Sequence, residues 1–264
     1  MKKYILIIKN VWSEMTTYRL NFALWRLRVN LQLLTMYFLW LAIIPTSGQF
    51  GSYNQSLMLT YILGGALLST VIISSRSYGV GDHITQGDLS NYLIRPINYF
   101  AFWFAQDLGD KAMNISFAIF ELTALFLILK PPFFIQTDPT FLILAAICAF
   151  VAVFLYFFLN FLIGLVGFWS PEVWAPRFIF IILITFFAGG LFPLDILPAP
   201  LYEIFKYLPF TYLIYFPLKV YLGQLYLQQI LQGIATAAIW VLILYLIVKF
   251  VWNRGLKLYT AYGR

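Results

Sequence analysis

Charge is the scarcest resource in this chain. Only 10% of its 264 residues are Asp, Glu, Lys or Arg, whereas soluble domains carry about 25%. Hydrophobic residues make up 62%, and the mean hydropathy is +0.85. A water-soluble globule could not cover its surface from such a composition, so the sequence is that of an integral membrane protein. Histidine and cysteine are nearly missing as well. His83 and Cys148 each stand alone, which rules out a disulfide framework, an H-E-x-x-H site and paired-cysteine metal sites. A Ser–His–Asp triad would have to use His83, which sits in a polar segment and is read as a solvated loop residue. No G-x-x-x-x-G-K-[ST] phosphate loop is present, so the chain cannot hydrolyse nucleotide by that route. These absences argue against an enzyme acting alone, and no cofactor is expected. The net charge of +7 does not call for a nucleic-acid partner, because in a membrane protein a basic excess records topology.

What the chain has is long apolar runs. A helical span needs roughly 20 mostly apolar residues. Six stretches qualify, near 29–47, 55–75, 110–130, 140–169, 174–194 and 227–251. The runs are continuous and too long for the alternating strands of a transmembrane β-barrel. The expected fold is an all-α bundle of six transmembrane helices in one domain over 1–264. With the N-terminus inside, 14 of the 17 Lys and Arg fall in cytoplasmic segments; only Lys130, Lys206 and Lys219 lie outside. Six spans return the C-terminus to the cytoplasm of a multi-pass protein in the plasma (inner) membrane. Residues 2–9 lack the cleavage site of a signal peptide. No internal repeat is evident, which disfavours the inverted-repeat transporters.

Three segments between the spans carry information. In 10–28, Val11, Met15, Tyr18, Phe22, Trp25 and Val29 recur at helical spacing, which predicts an interfacial amphipathic helix, either a plain anchor or a lever on the first span. In 76–98, Gly87 is placed to end one short helix, Asp88 to cap the next and Pro96 to close it at Arg95. The resulting helix–turn–helix knob would present Leu89, Tyr92 and Leu93 for docking to another protein. In 192–223, an apolar stretch is broken by Pro193, Pro198, Pro200, Pro209 and Pro217, which predicts short helices dipping into the outer leaflet rather than a span. Gly189 and Gly190 precede it as a close-packing point or hinge. Within the spans, Glu121 is the clearest acid, with Asn114, Asn160 and Thr123 as weaker polar positions. Glu121 is read either as functional or as a neutral acid hydrogen-bonded to a neighbouring helix; in the second case Gln would replace it.

Taken together these motifs resemble the permease subunits of bacterial type-2 ABC (ATP-binding cassette) exporters. The resemblance rests on Gly87-Asp-Leu-Ser-Asn-Tyr-Leu-Ile-Arg-Pro-Ile-Asn-Tyr99, on Phe192-Pro-Leu-Asp-Ile-Leu-Pro198, on Leu208–Gly223 and on the ending Trp252-Asn-Arg-Gly-Leu-Lys-Leu-Tyr259. It implies a half-transporter in membrane lipid. A second permease chain, identical or a sister, would complete the pathway, and two cytoplasmic ATPase subunits would dock on the knob. The coupling helix would then map onto Gly87, Asp88, Leu89, Leu93, Arg95 and Pro96. The outer re-entrant gate would map onto 195–223 with Gly189, Gly190, Pro193, Pro198, Pro209 and Pro217. An amphiphilic substrate fits the aromatic spans. The alternatives are an ion-coupled transporter or channel built on Glu121 and a membrane-embedded lipid-modifying enzyme.

Overall fold

The computed structural model describes residues 2–44, 46 and 48–259. Arg264, counted among the cytoplasmic cations, and Pro45 and Ser47, inside the first predicted span, lie outside the described residues. The chain is nearly all-α. Its main helices are α1 (Lys2–Thr17), α2 (Arg19–Ile43), α3 (Gln55–Leu68), α4 (Gly79–Thr85), α5 (Leu89–Leu93) and α6 (Tyr99–Leu129). They continue with α7 (Pro139–Gly164), α8 (Trp174–Phe187), α9 (Ala199–Phe205), α10 (Tyr215–Tyr221) and α11 (Leu227–Leu258). One small hairpin, β1 (Gln49–Phe50) against β2 (Tyr53–Asn54), leads into α3.

Local chemistry sets the boundaries. Asn54 starts α3 by accepting from Leu57 N at 2.8 Å, and Asn98 starts α6 by accepting from Ala101 N at 3.0 Å. Asp138 caps α7 through Thr140 N at 2.8 Å, with Pro139 in the first turn where its missing N–H costs nothing. Lys130 ends α6 in a left-handed conformation. α3 runs on as a π-helical turn over Ser69–Ile73 and then breaks.

The helices that fall in the six predicted spans are α2, α3, α6, α7, α8 and α11. Four of them, Gln55–Ile73, Tyr99–Leu129, Pro139–Phe168 and Leu227–Leu258, are long and apolar enough to cross a membrane. α8 is apolar but has only 14 residues. α2 falls short in hydropathy because Arg26, Arg28, Asn30 and Gln32 lie within it. The structure thus corrects two predicted features. The amphipathic segment 10–28 is not one helix, since the chain turns at Tyr18 and α2 starts ten residues before the predicted span. α6 begins at Tyr99 rather than 110, so Lys111 lies three turns inside a helix and is buried.

One end holds the segment 194–222, folded as a 3₁₀ turn, α9, a second 3₁₀ turn and α10. Pro193, Pro198 and Pro209 sit at the starts of these pieces, whereas Pro217 lies in the first turn of α10 without breaking it. Asp195 and Lys219 pair at 2.8 Å here, and the Lys219 ammonium also donates to Tyr53 Oη and to Gln224 Oε1. Gly189 is left-handed, and a Cβ on it would stand 2.7 Å from the Tyr61 hydroxyl, which donates to the Gly189 carbonyl. Gly190 has ordinary room for a side chain, so no close-packing demand falls on it.

The other end holds α4 and α5. α4 lies on the end of α7 at a glycine contact: a Cβ on Gly164 would meet Val80 Cβ at 2.9 Å. Beneath the pair is a separate aromatic core that includes Leu89, Tyr99, Trp103, Phe161 and Trp252. Gly164→Ala is therefore expected to push α4 off its seat and destabilise the protein by about 1–3 kcal/mol, as overpacking does. Thermal melting in detergent checks this; an unchanged midpoint would mean that α4 is not seated on Gly164.

Candidate functional site

The break after α3 leaves backbone groups beside the buried Ser75 and Ser77, and buried backbone groups need partners from within the protein. α6 supplies the partners. Asp107 accepts from the backbone N–H groups of Arg76 at 2.6 Å and Ser77 at 3.1 Å, and from Ser75 Oγ at 2.7 Å. Lys111 donates to the carbonyl oxygens of Ile72, at 3.2 Å, and Ser74. A carboxylate thus serves the freed donors and an ammonium the freed acceptors. Asn160, from α7, donates to Ser75 Oγ at 3.2 Å and Ser77 Oγ at 2.9 Å. Asp110 accepts from Ser74 Oγ and from Asn114 Nδ2. Asn114 and Asn160, predicted as intramembrane polar positions, are therefore both buried parts of one network around the break. Thr123 is not, since it only back-bonds to Ile119 O within α6.

Glu121 lies farther along the same face of α6. Its carboxylate takes Arg26 Nε at 2.7 Å on one oxygen and Arg26 Nη2 on the other, a two-pronged pair. Arg26 Nη1 reaches Asn114 Oδ1 at 3.4 Å, which links this pair to the network. Glu121 is thus bonded to a neighbouring helix, and its partner there is the Arg26 guanidinium of α2, which stays charged in a protein. Arg26, expected in an interfacial segment, is 5% exposed.

Next to the network is a cavity of about 810 Å³ bounded by α1, α2, α3, α6, α7 and α8. Met15, Tyr18, Phe22, Trp25 and Val29, five of the six residues of the predicted stripe, line it, and the sixth, Val11, is buried. Glu14, Arg28, Arg76, Asp110, Asn160 and Arg177 supply polar groups, and Leu33, Met36, Ile62 and Ile214 an apolar portion. Arg76 is the hub: it contacts Glu14 of α1 at 2.5 Å and Asp110 of α6 at 3.5 Å. Burial works against its charge, but the bond to Glu14 and the field of Glu14 and Asp110 prevail and raise its pKa.

The α4–α5 knob follows directly from the break. Gly87 is left-handed, as expected for the end of a helix, and the chain leaves α5 before Pro96. Asp88 makes no side-chain cap, because its backbone is already helical rather than extended. Leu89 is corrected as well, being fully buried in the aromatic core. Outside lie Leu93, 47% exposed, and Ile94, 85% exposed, with Arg95 and Pro96. Arg177 of α8 ties the knob to the cavity by donating to Tyr78 O at 2.7 Å and approaching Asp82 at 3.4 Å. His83 is not solvated but half-buried, with its ring 4.8 Å from that of Tyr92 and 4.9 Å from that of Trp103.

The sequence does not single out Asp107, Asp110 and Lys111 as site residues, because by hydropathy a charge marks the end of a span. Their spacing with Asn114, at i, i+3, i+4 and i+7, was the available signal, since it puts all four on one helical face. Among the described residues no group of three or more His, Cys, Asp or Glu converges as a metal site.

Two outcomes are expected. Glu121→Gln should cost about 3–5 kcal/mol by stranding Arg26, and Arg26→Gln in the same chain should recover much of it. A double-mutant cycle on the melting midpoint checks this; a single Gln variant as stable as the parent would exclude the charged pair. Burial, opposed by Asp88 and Asp82, lowers the His83 pKa below the ordinary imidazole value. Unfolding then favours proton uptake, so the stability contributed by neutral His83 is present above about pH 6.5 and lost as pH falls below it. His83→Phe should flatten that dependence in melting curves, and an unchanged slope would place its origin elsewhere.

Comparison with known proteins gives one result. The family described as ABC-2 family transporter protein matches residues 31–263, a stretch that holds the network, the knob, the proline-rich segment and the tail. No curated protein matches. By that match, the chain belongs to the ABC-2 family and is a permease subunit of a type-2 ABC transporter.

Proposed function

We propose that the chain is one permease half of an ATP-driven exporter for an amphiphilic substrate. Membership of the family implies an ATP-binding partner subunit. In this reading two copies of that ATPase sit below the membrane, a second permease, identical or a sister chain, faces the first, and ATP is hydrolysed only in the partner. The α4–α5 end and both termini lie in the cytoplasm, at the end where most Lys and Arg gather, and the chain lies in the plasma (inner) membrane. The segment 195–223 forms the outer re-entrant part. The cavity is this chain's share of the pathway: its polar portion suits a headgroup and its apolar portion a tail.

The observation that carries the reading is the knob. It exposes Leu93 and Ile94, yet its first helix, α4, is seated on α7 at Gly164 and it is joined to the cavity wall through Arg76 and Arg177. A force applied there reaches the helices around the cavity without an intervening flexible linker. The ion-coupled alternative loses its motive, because the Glu121 carboxylate is occupied by Arg26.

Leu93→Asp should weaken ATPase association by about tenfold or more, as loss of a central apolar contact does. Its melting midpoint should stay close to the parent's, since the residue is exposed. Leu89→Asp should instead lower the midpoint, because it buries a charge. Co-purification with the cognate ATPase in lipid nanodiscs reads both, and full assembly and export by Leu93→Asp would sink the docking assignment.

A further inference from the structure

The C-terminal sequence Trp252-Asn-Arg-Gly-Leu-Lys divides between two faces of α11. Trp252 is buried and stacks on Tyr99 at 5.1 Å, inside the aromatic core beneath the knob. Gly255 faces the same way, and a Cβ there would stand 2.1 Å from the Phe168 ring, so only glycine lets α11 approach the turn that follows α7. Arg254 and Lys257 face outward, into a groove of about 390 Å³ completed by Trp169, Phe250, Val251 and Leu258.

No acidic residue lines this groove. Among the described residues neither cation has an ion-pair partner, and the Arg254 guanidinium rests 5.0 Å from the Phe250 ring centre with its donors uncommitted. The groove lies where the apolar part of α11 gives way to basic residues, the depth of the lipid headgroups for a membrane-crossing helix. Trp169 and Phe250 are largely exposed beside it, an aromatic pair suited to the top of an acyl chain.

We propose that this groove binds an anionic phospholipid from the cytoplasmic leaflet, its phosphate held by Arg254 and Lys257 and its acyl chains lying along the exposed face of α11 at Phe250. The bound lipid bridges Trp169, after α7, to the end of α11, and so braces from outside the aromatic core on which the knob rests.

The full-length protein in phosphatidylcholine nanodiscs doped with a minor fraction of phosphatidylglycerol provides the test, with retained lipid counted by native mass spectrometry. The parent should enrich phosphatidylglycerol, and Arg254→Gln with Lys257→Gln should reduce that enrichment about tenfold. Lys249→Gln, an exposed cation on the same helix but outside the groove, should leave it intact. No enrichment by the parent, or equal enrichment by the double variant, would overturn the proposal. So would an equal loss in Lys249→Gln, which would mean diffuse charge rather than a groove. Displacement of the lipid by inorganic phosphate would assign the groove to the free ion instead.

Discussion

A buried backbone N–H or C=O must be satisfied from within the protein. The rest of this structure hangs on how that demand is met where α3 stops. A regular helix would meet it at no further cost, but the chain breaks after a π-helical turn and exposes donors and acceptors together. Asp107 takes the donors and Lys111 the acceptors, one helical turn apart on α6. Remove either and the other becomes a lone buried charge; keep both and the break is fixed in place. Asn160 from α7 completes the shell, so two helices, α6 and α7, converge on Ser74, Ser75, Arg76 and Ser77.

That break gives the molecule its direction. On one side the chain runs into the knob; on the other, Arg76 and Asp110 border the cavity. Arg76 joins α1 to α6 across the same point. Motion of the knob relative to α6 must therefore strain either a carboxylate–amide cluster or an ion pair with α1. The two differ in exposure: Glu14 is half in solvent whereas Asp107 is sealed. The Glu14 contact is the weaker of the two and yields first.

Much of this was legible in the sequence. Continuous apolar runs mark α3 with its π-helical turn and α7 to within a few residues, because no charge falls inside them, and they fix the start of α11 though not its basic last two turns. The turn at Gly87 was visible because a left-handed position next to a polar run favours glycine. The early part of α2 was hidden for a physical reason: hydropathy sums residues singly, whereas Arg26 is tolerated only because Glu121 neutralises it from another helix. Asp107 and Lys111 were hidden in the same way. The stripe from Met15 to Val29 was recognised as one face, but periodicity does not say whether such a face meets lipid or a cavity. Leu89 and Leu93 stand one turn apart and read alike; α5 is so short that it runs from the core to the surface within that turn.

The pairing of Arg26 with Glu121 also has a consequence for the order in which the protein is built. The two residues are separated by 95 positions, so the arginine leaves the ribosome long before its carboxylate exists. At ordinary rates of synthesis that gap lasts about 5–20 s. During it, α2 has no partner for a guanidinium two turns inside its start, and water or lipid phosphate at the membrane surface must serve. Although α2 emerges early, it is therefore not the first helix that can settle: its final depth waits for α6 to arrive.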